Sequence, residues 1–272
     1  SSSYCVKDWG VIDRWRGNPE GTREYAEFPI KHPGDWKKLK PLSSSKGSLA
    51  SQLECIRMVI QGLPSSTPVI QTIFSPLAQA KNLIGKDQLP LHIRLHPEEL
   101  KVALRTITDT TLEFVDKSRK TGLAGIFYAV QHAQASILSP SEFTEFAIPY
   151  DLEILEQTRH LWLNIAHIHG TNIYYDKVSK YPVNVLNWHD LESFPDLDTG
   201  KHIFPGAVCG GLKQWETLVN GNSEQILAEA KAAIHKTNSS RFILGTGCVL
   251  PITAPHTNIL AARNSVDILK VE

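Results

Sequence analysis

Short β-branched runs alternate along most of this chain with stretches whose apolar residues recur at helical spacing. Residues 68–74 form the first clear run, bounded by Pro68 and by Ser75-Pro76; similar runs follow at 124–130, 161–168, 183–187, 202–208 and 241–245. Ahead of the first run, Leu53, Ile56, Val59 and Ile60 predict a helix over 48–62, stopped before Pro64. Further helical patterns lie at 97–120, 141–158, 173–180, 223–237 and 256–266. Ser139-Pro140-Ser141-Glu142 and Asn222-Ser223-Glu224 supply cap residues at two of the starts. Strands that alternate with helices predict a parallel sheet, because parallel neighbours need crossover connections. The first 45 residues read as an irregular excursion, with Trp9, Trp15 and Trp36 among charges and with Pro29, Pro33 and Pro41 breaking any long period.

Composition changes this picture little. The 272 residues suit one large domain, and 42% hydrophobic with 21% charged residues is ordinary for a globular chain. Lys and Arg balance Asp and Glu at 28 each, so no basic stripe points to nucleic acid or to an anionic membrane surface. No apolar run approaches the roughly 18 residues of a membrane span, and the opening residues lack the features of a signal peptide; a cytoplasmic location is the expectation. Four scattered cysteines, Cys5, Cys55, Cys209 and Cys248, do not make a disulfide framework.

In a parallel α/β fold, ligands sit at the carboxyl ends of the strands, so the residues closing each run are the candidates for chemistry. They read Phe74-Ser75-Pro76, Gln131-His132, His167-Ile168-His169-Gly170, Asn187-Trp188-His189-Asp190, Cys209-Gly210-Gly211 and Gly245-Thr246-Gly247-Cys248. His167 and His169 are two apart, and in extended chain their imidazoles point the same way and can share a metal. Cys248, arriving from another strand end, would complete a three-ligand site with an open fourth position, the pattern of catalytic zinc; a hydrogen-bonded core histidine is the plainer alternative. His132, His189 and Asp190 are candidates for proton transfer. Phe74, Gln131, Trp188 and Tyr174 are candidates for substrate contact, Trp188 as an aromatic wall to a flat ligand. Neither Gly245-Thr246-Gly247 nor Gly210-Gly211 completes a dinucleotide fingerprint, and no Gly-x-Ser-x-Gly elbow follows any strand.

These strand ends, in this order, resemble the uroporphyrinogen decarboxylase superfamily, which includes the decarboxylase of haem synthesis and the zinc-dependent methyltransferases that move methyl groups from corrinoid proteins to thiols. The resemblance rests on Thr72-Ile73-Phe74-Ser75-Pro76 with Leu83-Ile84-Gly85, on 137–143 running to Ile148-Pro149-Tyr150, on His167 to Gly170, and on 242–251 with 258–261. It implies a (β/α)8 barrel, a TIM-type fold, as a single domain. Residues 46–272 would then supply strands three to eight, with the first two strands lying upstream of Ser1. Barrels of the superfamily often pair into homodimers, and the sequence leaves open whether this one does.

The decarboxylases of the superfamily have an arginine-rich segment after the first strand and an aspartate at the second strand end, and neither is in this sequence. They resemble Gly-His-Gly at the last strand, where this chain has Gly247-Cys248-Val249. That difference favours the methyltransferase branch, whose zinc ligands map to His167, His169 and Cys248. The middle ligand is here histidine where the branch has cysteine, which removes one negative charge from the site. Zinc-dependent methyl transfer from a corrinoid to a small thiol, with a corrinoid protein as partner, is therefore the first expectation. Cofactor-free decarboxylation of a porphyrinogen, with His132 or His189 protonating the pyrrole carbon, is the second; a non-catalytic corrinoid or tetrapyrrole binder is the third.

Overall fold

The computed structural model describes residues 2–268. Its main sheet has six parallel strands, β3 (Ile70–Phe74), β4 (Gly125–Val130), β5 (Ile165–Ile168), β6 (Val185–Trp188), β7 (Ala207–Leu212) and β8 (Phe242–Thr246), hydrogen-bonded in chain order. A doubly wound sheet reverses its strand order at a switch point. This order never reverses, which is the arrangement of an α/β barrel. Among the described residues β3 and β8 end the sheet, and no ladder joins them.

The crossovers run through α2 (Pro76–Ile84), α3 (Leu89–Leu95) and α4 (Pro97–Arg119) after β3, and α5 (Pro140–Phe146) with α6 (Ile148–Thr158) after β4. Then come α7 (Tyr175–Val178), α8 (Leu197–Ile203), α9 (Ser223–Lys236) and α10 (His256–Ile268), while α1 (Gly47–Gly62) precedes the sheet. The expected caps form: the Ser139 hydroxyl accepts from the Glu142 N–H and the Asn222 side chain from the Gln225 N–H, each in a reciprocal capping box.

Several boundaries differ from the sequence expectation, each for a local reason. The helix expected over 141–158 is two helices meeting at Ala147, because Pro149 cannot donate a helical hydrogen bond. The strand expected over 161–168 begins only at Ile165; the Asn164 amide first closes the preceding turn by donating to the Thr158 and Leu161 carbonyls. The strand expected over 202–208 lies at 207–212, because His202 and Ile203 end α8 and the glycine pair is within the strand. α2, which was not expected, buries nearly every residue, Gln79 and Asn82 included, and its Pro76 occupies the first turn, where proline fits.

The first 45 residues are more ordered than expected. β1 (Ile12–Arg14) and β2 (Glu24–Glu27) pair as a hairpin between 3₁₀ segments. On one side Ile30 N–H donates to the Leu83 carbonyl of α2; at the hairpin tip the Pro19 carbonyl accepts from Ile252 N–H in the loop after β8. The segment thus straps together the connections that follow the two terminal strands of the sheet.

Deep in the helical layer, the Asp151 carboxyl of α6 is fully buried and accepts hydrogen bonds from Tyr128 Oη at 2.6 Å and Tyr181 Oη at 2.7 Å. Burial pushes this carboxyl up to about 7, outweighing the two hydroxyl donors. An unfolded aspartate titrates near 3.9, so the folded chain retains a proton that the unfolded chain releases. The stability from the neutral form is complete below about pH 4 and is lost as pH rises through about 7, a change on the order of 2–4 kcal/mol. The buried histidines titrate in the opposite sense, so the Asp151 contribution is read as a difference: from pH 5 to 8 the unaltered protein should lose roughly 2–3 kcal/mol relative to Asp151→Asn in thermal unfolding, and a difference that does not change with pH would contradict the assignment.

Candidate metal centre

The pleat of the strands decides which side chains meet. On β5 and the residue after it, Ile168 faces the helices while His167 and His169 face the sheet's inner side; on β6, Trp188 faces the helices while Asn187 and His189 face inward. The parallel register pairs His167 with Asn187 and Asn187 with Cys209. Cys248, two residues past β8, comes in from the far end of the sheet. Ligand atoms of His167, His169, His189 and Cys248 lie within 4.8 Å of one another.

Asn187 sets the orientation of this cluster. Its Nδ2 donates to the Cys209 carbonyl of β7 at 3.0 Å and to the Thr246 carbonyl of β8 at 2.9 Å, so the amide cannot be flipped without losing both bonds. Its Oδ1 therefore faces His167 Nδ1 at 2.7 Å and must accept from it. That fixes His167 as the Nδ1–H tautomer and leaves the Nε2 lone pair toward Cys248, whose Sγ is 3.7 Å away. The ring of Phe127 stacks on His167 with centroids 5.5 Å apart. His169 is held through its backbone N–H, which donates to the Val130 carbonyl, and its Nδ1 is 3.6 Å from Cys248 Sγ.

The donor set fits zinc. Tetrahedral zinc with a thiolate at about 2.3 Å and imidazoles at 2.0–2.1 Å places sulfur and nitrogen roughly 3.6 Å apart, close to both separations found here. His189 Nε2 is buried with no hydrogen-bond partner, an orphan a metal would satisfy. Burial and the neighbouring imidazole push His167 down to about 3 and His169 to about 4, which keeps both in the neutral, metal-binding form. Burial, with smaller contributions from the Glu20 and Glu192 carboxylates, pushes the Cys248 thiol up; a bound cation would reverse that.

The remaining candidates are placed less uniformly. Asp190 does not join the cluster: its carboxylate accepts from the Gly211 N–H at 3.1 Å, and burial raises it to about 6. Gly210 has no room for a Cβ, which would lie 2.2 Å from this carboxylate, so the glycine pair serves the β6–β7 contact. Trp188 is fully buried, donates to the Pro195 carbonyl and meets Tyr175 edge-on at 4.8 Å; its ring is core and presents no wall to a ligand. Tyr174 turns outward, its hydroxyl bonded to the Leu138 carbonyl. Phe74 closes β3 against Tyr4. Gln131 accepts from Lys81 Nζ at 3.1 Å, and His132 is buried beside them with Nδ1 unpartnered. Burial, then the charge of Lys81, pushes His132 down to about 3, a state suited to accepting a hydrogen bond rather than delivering a proton.

His189 was expected as a proton-transfer group, and its place among the ligand atoms is the feature sequence reasoning missed. The signal was present: Asn187-Trp188-His189 has the same period of two as His167-Ile168-His169.

Residues 18–268 match the family described as uroporphyrinogen decarboxylase (URO-D). The chain belongs to the URO-D family. A relative named methylcobamide:CoM methyltransferase MtbA, from Methanosarcina acetivorans, is 21% identical over 232 residues, covering 85% of this chain and 67% of the relative. Among solved structures, a methyltransferase from Methanosarcina mazei superposes with a TM-score of 0.85 at 18% identity, over 98% of this chain and 78% of the other. A B12-independent methionine synthase from Shewanella sp. W3-18-1 superposes with a TM-score of 0.64 at 13% identity, over 96% of this chain and 76% of that one. At these identities the superpositions establish the URO-D barrel fold. Among the described residues no helix is long and apolar enough to cross a membrane.

Removing the Asn187 amide should free the His167 ring and leave two strand carbonyls unpaired. Asn187→Leu is expected to weaken zinc binding by about 10–100-fold, measured by competition with a chromogenic chelator. Affinity equal to the unaltered protein would show that Asn187 does not position the ligand.

Proposed function

We propose that this URO-D family member is an enzyme that transfers a methyl group from a corrinoid to a small thiol at a zinc centre held by His167, His169 and Cys248, with His189 as a fourth donor. The observation that carries this reading is the convergence of one thiol and three imidazoles from three strand ends, with sulfur–nitrogen separations matching tetrahedral zinc. The relative whose name specifies a methylcobamide donor supports the corrinoid part.

When bound, zinc would lower the pKa of a substrate thiol so that it is present as the nucleophilic thiolate at neutral pH. The chain's own residues do the positioning. Asn187 presents His167 in one tautomer, and the Val130 carbonyl anchors the His169 backbone. With histidine at 169, the set carries a single negative charge, on Cys248. His189 comes from the loop that follows β6 and is the donor best able to yield its place to a substrate sulfur, since nothing on the barrel grips its Nε2. Small thiol and corrinoid, the latter carried on a protein, would be the partners.

Purified protein is expected to contain near-stoichiometric zinc and to consume methylcobalamin when supplied with a thiol, followed by the change in corrinoid absorbance. Cys248→Ala should lose most of the metal and the turnover together. Absence of zinc after growth in zinc-supplemented medium, or full zinc content in Cys248→Ala, would overturn the reading.

A further inference from the structure

The loops that carry Cys248 and His189 touch backbone to backbone. Gly247 stands between β8 and Cys248, in a turn that the Thr246 hydroxyl closes by donating to the Cys248 carbonyl at 2.5 Å. A Cβ on Gly247 would lie 2.8 Å from His189 Cα and 2.9 Å from the Trp188 carbonyl oxygen. Real Cβ atoms do not come so near, and packed backbone atoms cannot swing aside as the end of a flexible side chain can. The φ of Gly247 lies outside the left-handed region, so space alone calls for glycine here.

The other side of the same loop is held from β7. The Asp190 carboxylate accepts from the Gly211 N–H at 3.1 Å, and Gly210 leaves room for that carboxylate. Between these contacts the loop is a closed turn: the N–H groups of Glu192 and Ser193 donate to the His189 carbonyl at 3.0 and 2.8 Å, and Trp188 Nε1 donates to the Pro195 carbonyl. The His189 ring contrasts with its backbone. Its Nε2 is buried without a hydrogen-bond partner, and its Nδ1 lies 3.5 Å from the exposed carboxylate of Glu192, a long contact.

We propose that Gly247 and Asp190 are the positioning residues of His189: the glycine lets the loop after β8 lie against the His189 backbone, and Asp190 fixes the opposite side to β7, so that Cys248 and His189 reach the same metal ion. This rests on the reading of the cluster as a zinc centre and adds what seats its fourth donor. With the backbone clamped on both sides, His189 enters and leaves the metal by rotation of its side chain, while the loop stays in place. Neither Gly247 nor Asp190 is itself a ligand.

Zinc affinity measured by chelator competition, in double-mutant cycles with His189→Ala, tests this. Gly247→Ala, Asp190→Ala and His189→Ala should each weaken zinc binding by about tenfold or more, and adding either of the first two to His189→Ala should cost nothing further, because each acts through that histidine. A residue that merely supported the fold would keep its cost in the His189→Ala background. Asp190→Ala carries the test if Gly247→Ala does not fold. In the metal-free protein, hydrogen exchange at the Glu192 and Ser193 amides should quicken in both positional variants. Quickened exchange in a chain that binds no zinc would sink the zinc reading and leave the seat standing. Unaltered zinc affinity in the positional variants, losses that multiply in the double variants, or unaltered exchange would overturn the seat.

Discussion

A single side-chain amide ties together four strands of this barrel. Asn187 stands on β6, bonds to a histidine on β5, and gives its two amide hydrogens to carbonyls on β7 and β8. Each bond is ordinary alone, worth roughly 1 kcal/mol net, yet breaking one leaves a buried group unpaired at a larger cost. Because the two carbonyls dictate which way the amide faces, they also dictate the tautomer of His167. The backbone of the sheet thereby fixes the direction of an imidazole lone pair two strands away.

The rest of the cluster follows from strand period and register. Residues two apart share a face, so His167 with His169, and Asn187 with His189, turn inward as pairs, and the intervening Ile168 and Trp188 build the core between sheet and helices. The strap formed by the first segment closes over the same end, touching α2 on one side and the β8 loop on the other. Buried imidazoles, one thiol and a largely buried lysine therefore share an environment in which solvent is limited and electrostatic effects are strong.

The alternation of strands and helices was legible in the sequence, and so was the meeting of His167, His169 and Cys248, because short buried strands and their terminal residues leave local marks. What was not legible depends on tertiary contact. α2 is only nine residues long and buries even its polar Gln79 and Asn82. Gly210 and Gly211 were read as following a strand that ended at 208, and only the approach of Asp190 explains them as part of it. Trp188 looked like a ligand wall; the pleat puts it on the opposite face from its neighbour His189. Asn187 stood in a strand end the sequence singled out, but its role was not legible there, since it comes from carbonyls far along the chain. Asp151 with Tyr128 and Tyr181 is equally a product of packing.

Zinc K-edge X-ray absorption on the metal-loaded protein tests the central claim most directly, because it counts donor types without reference to turnover. A first shell of one sulfur near 2.3 Å and three nitrogens near 2.0–2.1 Å is the predicted result. A shell of oxygen and nitrogen alone, with no sulfur, would contradict a centre in which Cys248 joins the histidines.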